Sequence, residues 1–160
     1  MYNENEFKLG KDYDVAVLLG SNLKFFYGIS GTATEGGACS KDTNEKIISS
    51  TLIMLDNTQF SGVIGATHEL AHLFGTPHDG DRADQNFLGE GAEACPEDEG
   101  YMMSTVTGGK YQFHFSSCSK KIMSHFFSQK SAKCLLNNPA DHRYDEQMLR
   151  ILPGKLSSID

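Results

Sequence analysis

The chain has 160 residues, 39% of them hydrophobic, with 14 Lys and Arg against 21 Asp and Glu for a formal net charge of −7. That is one domain's worth of sequence, long enough to bury a core. It has no apolar run of the roughly 18 residues a membrane span needs, none of the basic footprint that nucleic acid selects, and no repeats or low-complexity tracts.

Apolar runs alternate with turn signals. Residues 13–20, Tyr-Asp-Val-Ala-Val-Leu-Leu-Gly, predict a buried strand closed by Gly-Ser-Asn. A second strand is predicted over Phe25 to Ile29. The glycines of residues 31–39 predict an irregular edge strand that another backbone can approach closely. Ile47 to Leu55 predicts a third strand, which periodicity alone does not separate from a buried helix.

From about Ser61 the period changes. Val63, Ala66, Thr67, Leu70, Leu73 and Phe74 recur at helical spacing, and Gly75 follows as the C′ stop. Residues 79–110 predict a long irregular loop with five acids between Glu90 and Glu99. A second helix is predicted from Ser119, as its N-cap, to about Lys133, burying Ile122, Met123, Phe126 and Phe127. After Pro139 the composition turns polar, so residues 140–160 are expected to be a linker or the start of another module. Residues 1–14 show no basic stretch leading into an apolar one.

Chemistry concentrates in residues 68–79, His-Glu-Leu-Ala-His-Leu-Phe-Gly-Thr-Pro-His-Asp. His68 and His72, at i and i+4, project from one helix face and can share a metal ion. Gly75 lets the chain reverse so that His78 returns to the same ion. Three neutral imidazoles leave a coordination position open, which marks a catalytic zinc site and not a closed structural one. Glu69 stands beside it as the general base for a zinc-polarised water. Chance assembly of three His, the Glu and the Gly at this spacing is roughly 5 × 10⁻⁵ for a chain of this composition.

The four cysteines, Cys39, Cys95, Cys118 and Cys134, contain no C-x-x-C pair. Two disulfides in an oxidising compartment and four buried thiols are both compatible with that count.

The pattern HExxHxxGxxH with a downstream Met-turn marks metzincin metalloproteases, and this chain resembles their adamalysin (reprolysin) branch, which includes snake-venom, ADAM-type and thrombospondin-repeat proteases. Further segments resemble family landmarks: residues 13–19 the HDNAQLL strand, residues 36–40 (GGACS) the segment after the substrate-binding edge strand, residues 100–104 (GYMMS) the Met-turn, residues 115–119 (FSSCS) and residues 133–139 (KCLLNNP) the C-terminal cysteine segments. HELAHLFGTPHDG and GYMMS are most similar to tick salivary gland metalloproteases.

The resemblance implies an α/β (α+β) metzincin fold, a mixed, mostly parallel sheet with an active-site helix, over residues 1–139, truncated at its N-terminus relative to a family domain. It implies one catalytic Zn²⁺, Met103 as a structural residue beneath it, and the disulfides Cys39–Cys134 and Cys95–Cys118. A structural Ca²⁺ held by Asp14, the Cys134 carbonyl and Asn137 is also implied. The activity implied is a secreted, extracellular zinc endopeptidase acting on protein substrates such as extracellular matrix or clotting proteins. Substrate would lie extended along residues of about 31–37, with a wall around Ser104 to Gly109 shaping the pocket after the scissile bond. One rival is a protease-like binding module without activity, which usually lacks the Glu or a zinc ligand; this chain keeps all four. The other is a zinc hydrolase with a distant Glu as third ligand, against which His78 with Gly75 argues.

Overall fold

The computed structural model describes residues 14–20, 30–42, 44–56, 62–82 and 90–137. The predicted strand at Phe25 to Ile29 and the predicted linker at residues 140–160 lie outside the described residues.

The fold is mixed α/β, with a mixed sheet packed on a helix. Strand β5 (Thr51–Leu55) is central: β1 (Ala16–Gly20) pairs parallel to it and β2 (Gly31–Ala33) antiparallel, giving the order β1-β5-β2. Leu52 and Met54 alternate into the core at 1% and 2% exposure, as the period of two of a strand dictates. After β5 comes α1 (Gly62–Leu73), whose first N–H donates to Asp56 Oδ1 at 3.2 Å. α1 packs on the sheet through Ala66, Leu70 and Leu73, and α2 (Ser117–Ser128) adds Phe126 to the same core. Burying Leu52, Met54 and Leu73 stabilises the fold by about 1.5–3 kcal/mol each.

Several expectations are corrected. β1 is not buried: Val17, Leu18 and Leu19 are 48%, 52% and 54% exposed, because β5 is its one sheet neighbour among the described residues. The run from Ile47 to Leu55 is two strands. β4 (Ile47–Ile48) hairpins back on β3 (Lys41–Asp42), and the chain bends at Ser50 before β5 begins. The carboxylate of Asp42 closes that hairpin by accepting from the N–H groups of Asn44 and Glu45. In the edge segment, Gly31 to Ala33 alone form a ladder, and turns carry the chain to Ser40.

In α1, Val63 faces solvent at 58% exposure. The N-cap of α2 is Ser116, not Ser119: its Oγ accepts from the Ser119 N–H at 3.1 Å. α2 stops at Ser128, and Lys130–Leu136 continues as a 3₁₀ segment. Of its predicted apolar face, Ile122 and Phe126 are buried, Met123 is half-buried and Phe127 is 39% exposed against Phe74.

Two disulfides close long loops. Cys39 joins Cys134, tying the turn after β2 to the 3₁₀ segment, with Cα atoms 5.8 Å apart. Cys95 joins Cys118, tying the acidic loop to the first turn of α2, with Cα atoms 6.1 Å apart.

Candidate metal centre

Helical geometry places His68 and His72 one turn apart, and their Nε2 atoms stand 3.1 Å from each other. The helix ends where Gly75 adopts φ +79°, a left-handed conformation that side chains disfavour. That turn brings His78 back, with its Nε2 3.2 Å from His68 Nε2. Four tetrahedral ligands with zinc–nitrogen bonds of 2.0–2.1 Å stand about 3.3 Å apart, so the spacing fits such a site. Among the described residues, these three imidazoles are the single group of three or more His, Cys, Asp or Glu side chains close enough to share an ion.

The outer nitrogens explain the inward aim. His68 Nδ1 lies 2.8 Å from the Met102 carbonyl and His72 Nδ1 2.7 Å from the Thr76 carbonyl. A carbonyl only accepts, so each Nδ1 carries the hydrogen and each Nε2 turns a lone pair toward the centre. Asp81 places a carboxylate 3.5 Å from His78 Nδ1.

Burial sets the protonation states. Desolvation lowers His68 below the ordinary imidazole range against the opposing pull of the Met102 carbonyl. It drives His72 down to about 4, helped by the neighbouring His68. Both rings are therefore neutral, the form a metal binds, at neutral pH. Desolvation pushes the Glu69 carboxyl up to about 7, poised to take a proton near neutrality.

Behind His78 lies a second layer. Asp79 is 2% exposed, and its Oδ1 accepts from Ser116 Oγ at 2.6 Å and Ser119 Oγ at 3.3 Å. Its N–H donates to the carbonyl of Met103, a residue with no exposed surface. The chain beyond is held by two backbone bonds, from Gly80 N–H to the Ala92 carbonyl and from Ala92 N–H to the Asp81 carbonyl.

The four motif residues line one cleft of about 800 Å³, with Gly31 to Ala33 along its edge and Thr105, Thr107, Gly108 and Gln112 on its wall. Asp14 stands half-buried before β1, and Asn137 is exposed where the Cys134-containing 3₁₀ segment ends. Sequence reasoning overlooked the Thr76 and Met102 carbonyls, Asp81 and Ser116. Two of these left a signal: a carboxylate three residues past His78, and the S-x-x-S spacing of an N-cap at Ser116.

Comparison with known proteins agrees with this geometry. The family model described as "Reprolysin (M12B) family zinc metalloprotease" matches residues 1–139. An "A disintegrin and metalloproteinase with thrombospondin motifs like" protein of Bombyx mori is 37% identical over 133 residues, covering 83% of this chain and 19% of the relative. A "Venom metalloproteinase antarease-like TfasMP_A" of Tityus fasciolatus is 40% identical over 70 residues, 42% of this chain and 29% of the relative. "A disintegrin and metalloproteinase with thrombospondin motifs 18" of Mus musculus is 31% identical over 162 residues, 96% of this chain and 12% of the relative. The chain thus spans less than a third of the length of these relatives.

Proposed function

This chain belongs to the reprolysin family of zinc metalloproteases, and from that membership we propose that it is a secreted endopeptidase cleaving extracellular proteins, with Glu69 as its general base. The observation that carries the reading is the convergence of three Nε2 atoms beside a buried carboxylate, in a cleft lined by β2, an edge strand among the described residues.

His68, His72 and His78 would hold the zinc. The ion, when bound, supplies a Lewis acid that acidifies a water and polarises a peptide carbonyl. Glu69, its carboxyl held partly out of water, takes the water's proton on its carboxylate and returns it to the leaving amine. β2 orients the substrate. Because the Leu55 N–H donates to the Ser30 carbonyl, residues 30 and 55 form a hydrogen-bonded pair of the antiparallel ladder. The alternation of such ladders then turns the N–H and C=O groups of Gly31 and Ala33 away from β5, toward the side where an extended peptide would pair. The wall from Ser104 to Gly109 shapes the pocket after the scissile bond, with Thr105, Thr107 and Gly108 lining that cleft.

Secretion is supported by two disulfides that reducing compartments do not maintain. Among the described residues, no helix is long and apolar enough to cross a membrane. Matrix or clotting proteins as substrates, the closer likeness to tick enzymes and a calcium ion at Asp14, Cys134 and Asn137 belong to the same proposal. Their support is the motif likeness and, for calcium, the hard oxygen donors.

Metal analysis of the purified chain with a proteolysis assay on gelatin or fibrinogen, with and without chelator, tests the reading. One zinc per chain and chelator-sensitive cleavage support it. Bound zinc with no cleavage of any protein offered would mean a binding module instead.

A further inference from the structure

A Cβ built on Gly31 would stand 2.5 Å from Glu69 Oε1, 2.9 Å from its Cγ and 3.0 Å from its Cδ. These are the three nearest heavy atoms, and all belong to one side chain. Gly31 is outside the set of glycines with positive φ and sits in a strand opposite Met54, where alanine has no conformational penalty. A glycine there weakens the strand for no backbone reason. What the missing methyl leaves is room for the carboxyl of Glu69, a side chain itself only 7% exposed.

We propose that Gly31 is a positioning residue for the reaction: its bare Cα forms one wall of the socket that fixes where the Glu69 carboxyl sits over the metal centre. This rests on the function proposed above. The obstructing atoms run from Cγ outward in one flexible side chain and are not backbone, so a methyl at position 31 is accommodated by rotating the Glu69 side chain about its Cα–Cβ bond, which carries the carboxyl aside while β2 keeps its register. The fold tolerates the change and the chemistry does not. A misplacement of about 1 Å at a reacting group costs on the order of 10²-fold in rate. The backbone N–H and C=O of residue 31 survive the substitution, so peptide binding along β2 is retained and the loss falls on kcat.

The test is Gly31→Ala in the full chain, assayed with a quenched fluorogenic peptide beside the parent. Expected are one zinc per chain, a thermal midpoint within a few degrees of the parent, KM within about twofold, and kcat reduced on the order of 10²-fold. A crystal structure of the metal-free variant should show the Glu69 carboxyl displaced from its parental position with β2 in place. In a Glu69→Ala background, adding Gly31→Ala should change neither residual rate nor stability, since the crowded side chain is gone. Unchanged kcat, an undisplaced carboxyl or an equal further loss in the Glu69→Ala background would overturn the proposal. If Gly31→Ala alone fails to fold, folding of the double variant upholds the contact with Glu69, and its failure assigns the glycine to the sheet. An inactive parent counts against the proposed function; the displacement of the carboxyl still decides the role of Gly31.

Discussion

His72 donates its Nδ1–H to the carbonyl of Thr76, four residues on, across 2.7 Å. That carbonyl faces back because Gly75, between them, takes a left-handed turn. The stop signal of the helix therefore also sets the tautomer of the second imidazole, and His72→Ala should cost the metal itself. Zinc content after dialysis is the measure, with less than one zinc retained per two chains as the expected outcome.

Glu69→Gln keeps the shape of the side chain and removes its basicity. Zinc stoichiometry should stay at one, while kcat falls by about 10²–10⁴-fold. Loss of zinc, or retained turnover, would remove Glu69 from its role.

The raised Glu69 pKa carries a pH signature in the metal-free protein. Unfolded, the carboxyl ionises at 4.5; folded, it keeps its proton up to about 7. Between these values the folded state binds more protons, so this group makes stability fall as pH rises. His72 has the opposite sign: neutral in the fold down to about 4 and protonated below 6.5 when unfolded, it makes stability rise with pH over nearly the same window. Comparing thermal midpoints of the metal-free parent and Glu69→Gln separates the two. The variant should gain on the parent from pH 4.5 to 7 and show no further relative gain above.

Asp79→Ala would leave the hydroxyls of Ser116 and Ser119 without their buried carboxylate acceptor. Hydrogen bonds to a charged group contribute about 1.5–3 kcal/mol, and urea unfolding should show a loss of that size. Because Asp79 is the residue directly after His78 and is held by Ser116, Ser119 and the Met103 carbonyl, zinc affinity measured by chelator competition should weaken about 10-fold or more.

The two disulfides differ in reach, 95 residues for Cys39–Cys134 and 23 for Cys95–Cys118. Loop-closure entropy assigns about 4.7 and about 3.4 kcal/mol to them. Replacing each pair by alanines should reproduce that order in denaturant midpoints, and non-reducing peptide mapping should recover both linkages.

The clustering of His68, His72 and His78 was legible in the sequence because its geometry is local: a helix of known pitch and one glycine suffice to gather three imidazoles. What was not legible depends on distant partners. Ser116, Ser117 and Ser119 are all chemically able to cap α2, and the buried Asp79, 37 residues earlier, selects Ser116. The run from Ile47 to Leu55 carries Ser49, Ser50 and Thr51 at its middle, residues that a continuous strand also tolerates. It breaks because Ser49 belongs to the hairpin, its N–H donating to the Ser40 carbonyl and its own carbonyl oxygen passing where a Cβ on Gly37 would stand. The exposure of β1 was hidden for a related reason, since apolar residues announce a wish for neighbours and not their number. The carbonyls of Thr76 and Met102 are invisible to any reading of side chains.

The unequal anchoring of the three imidazoles has a consequence for how the site assembles. Two of them are in place once a single helix forms, an event of about a microsecond. The third waits for the docking of Asp79 against a helix much further along the chain. Nascent protein thus offers metal a two-point grip first and a three-point grip only when its C-terminal half has closed over the loop. The rate at which zinc would escape from the finished site is then a clock for the local opening of that closure, read without unfolding the rest of the molecule.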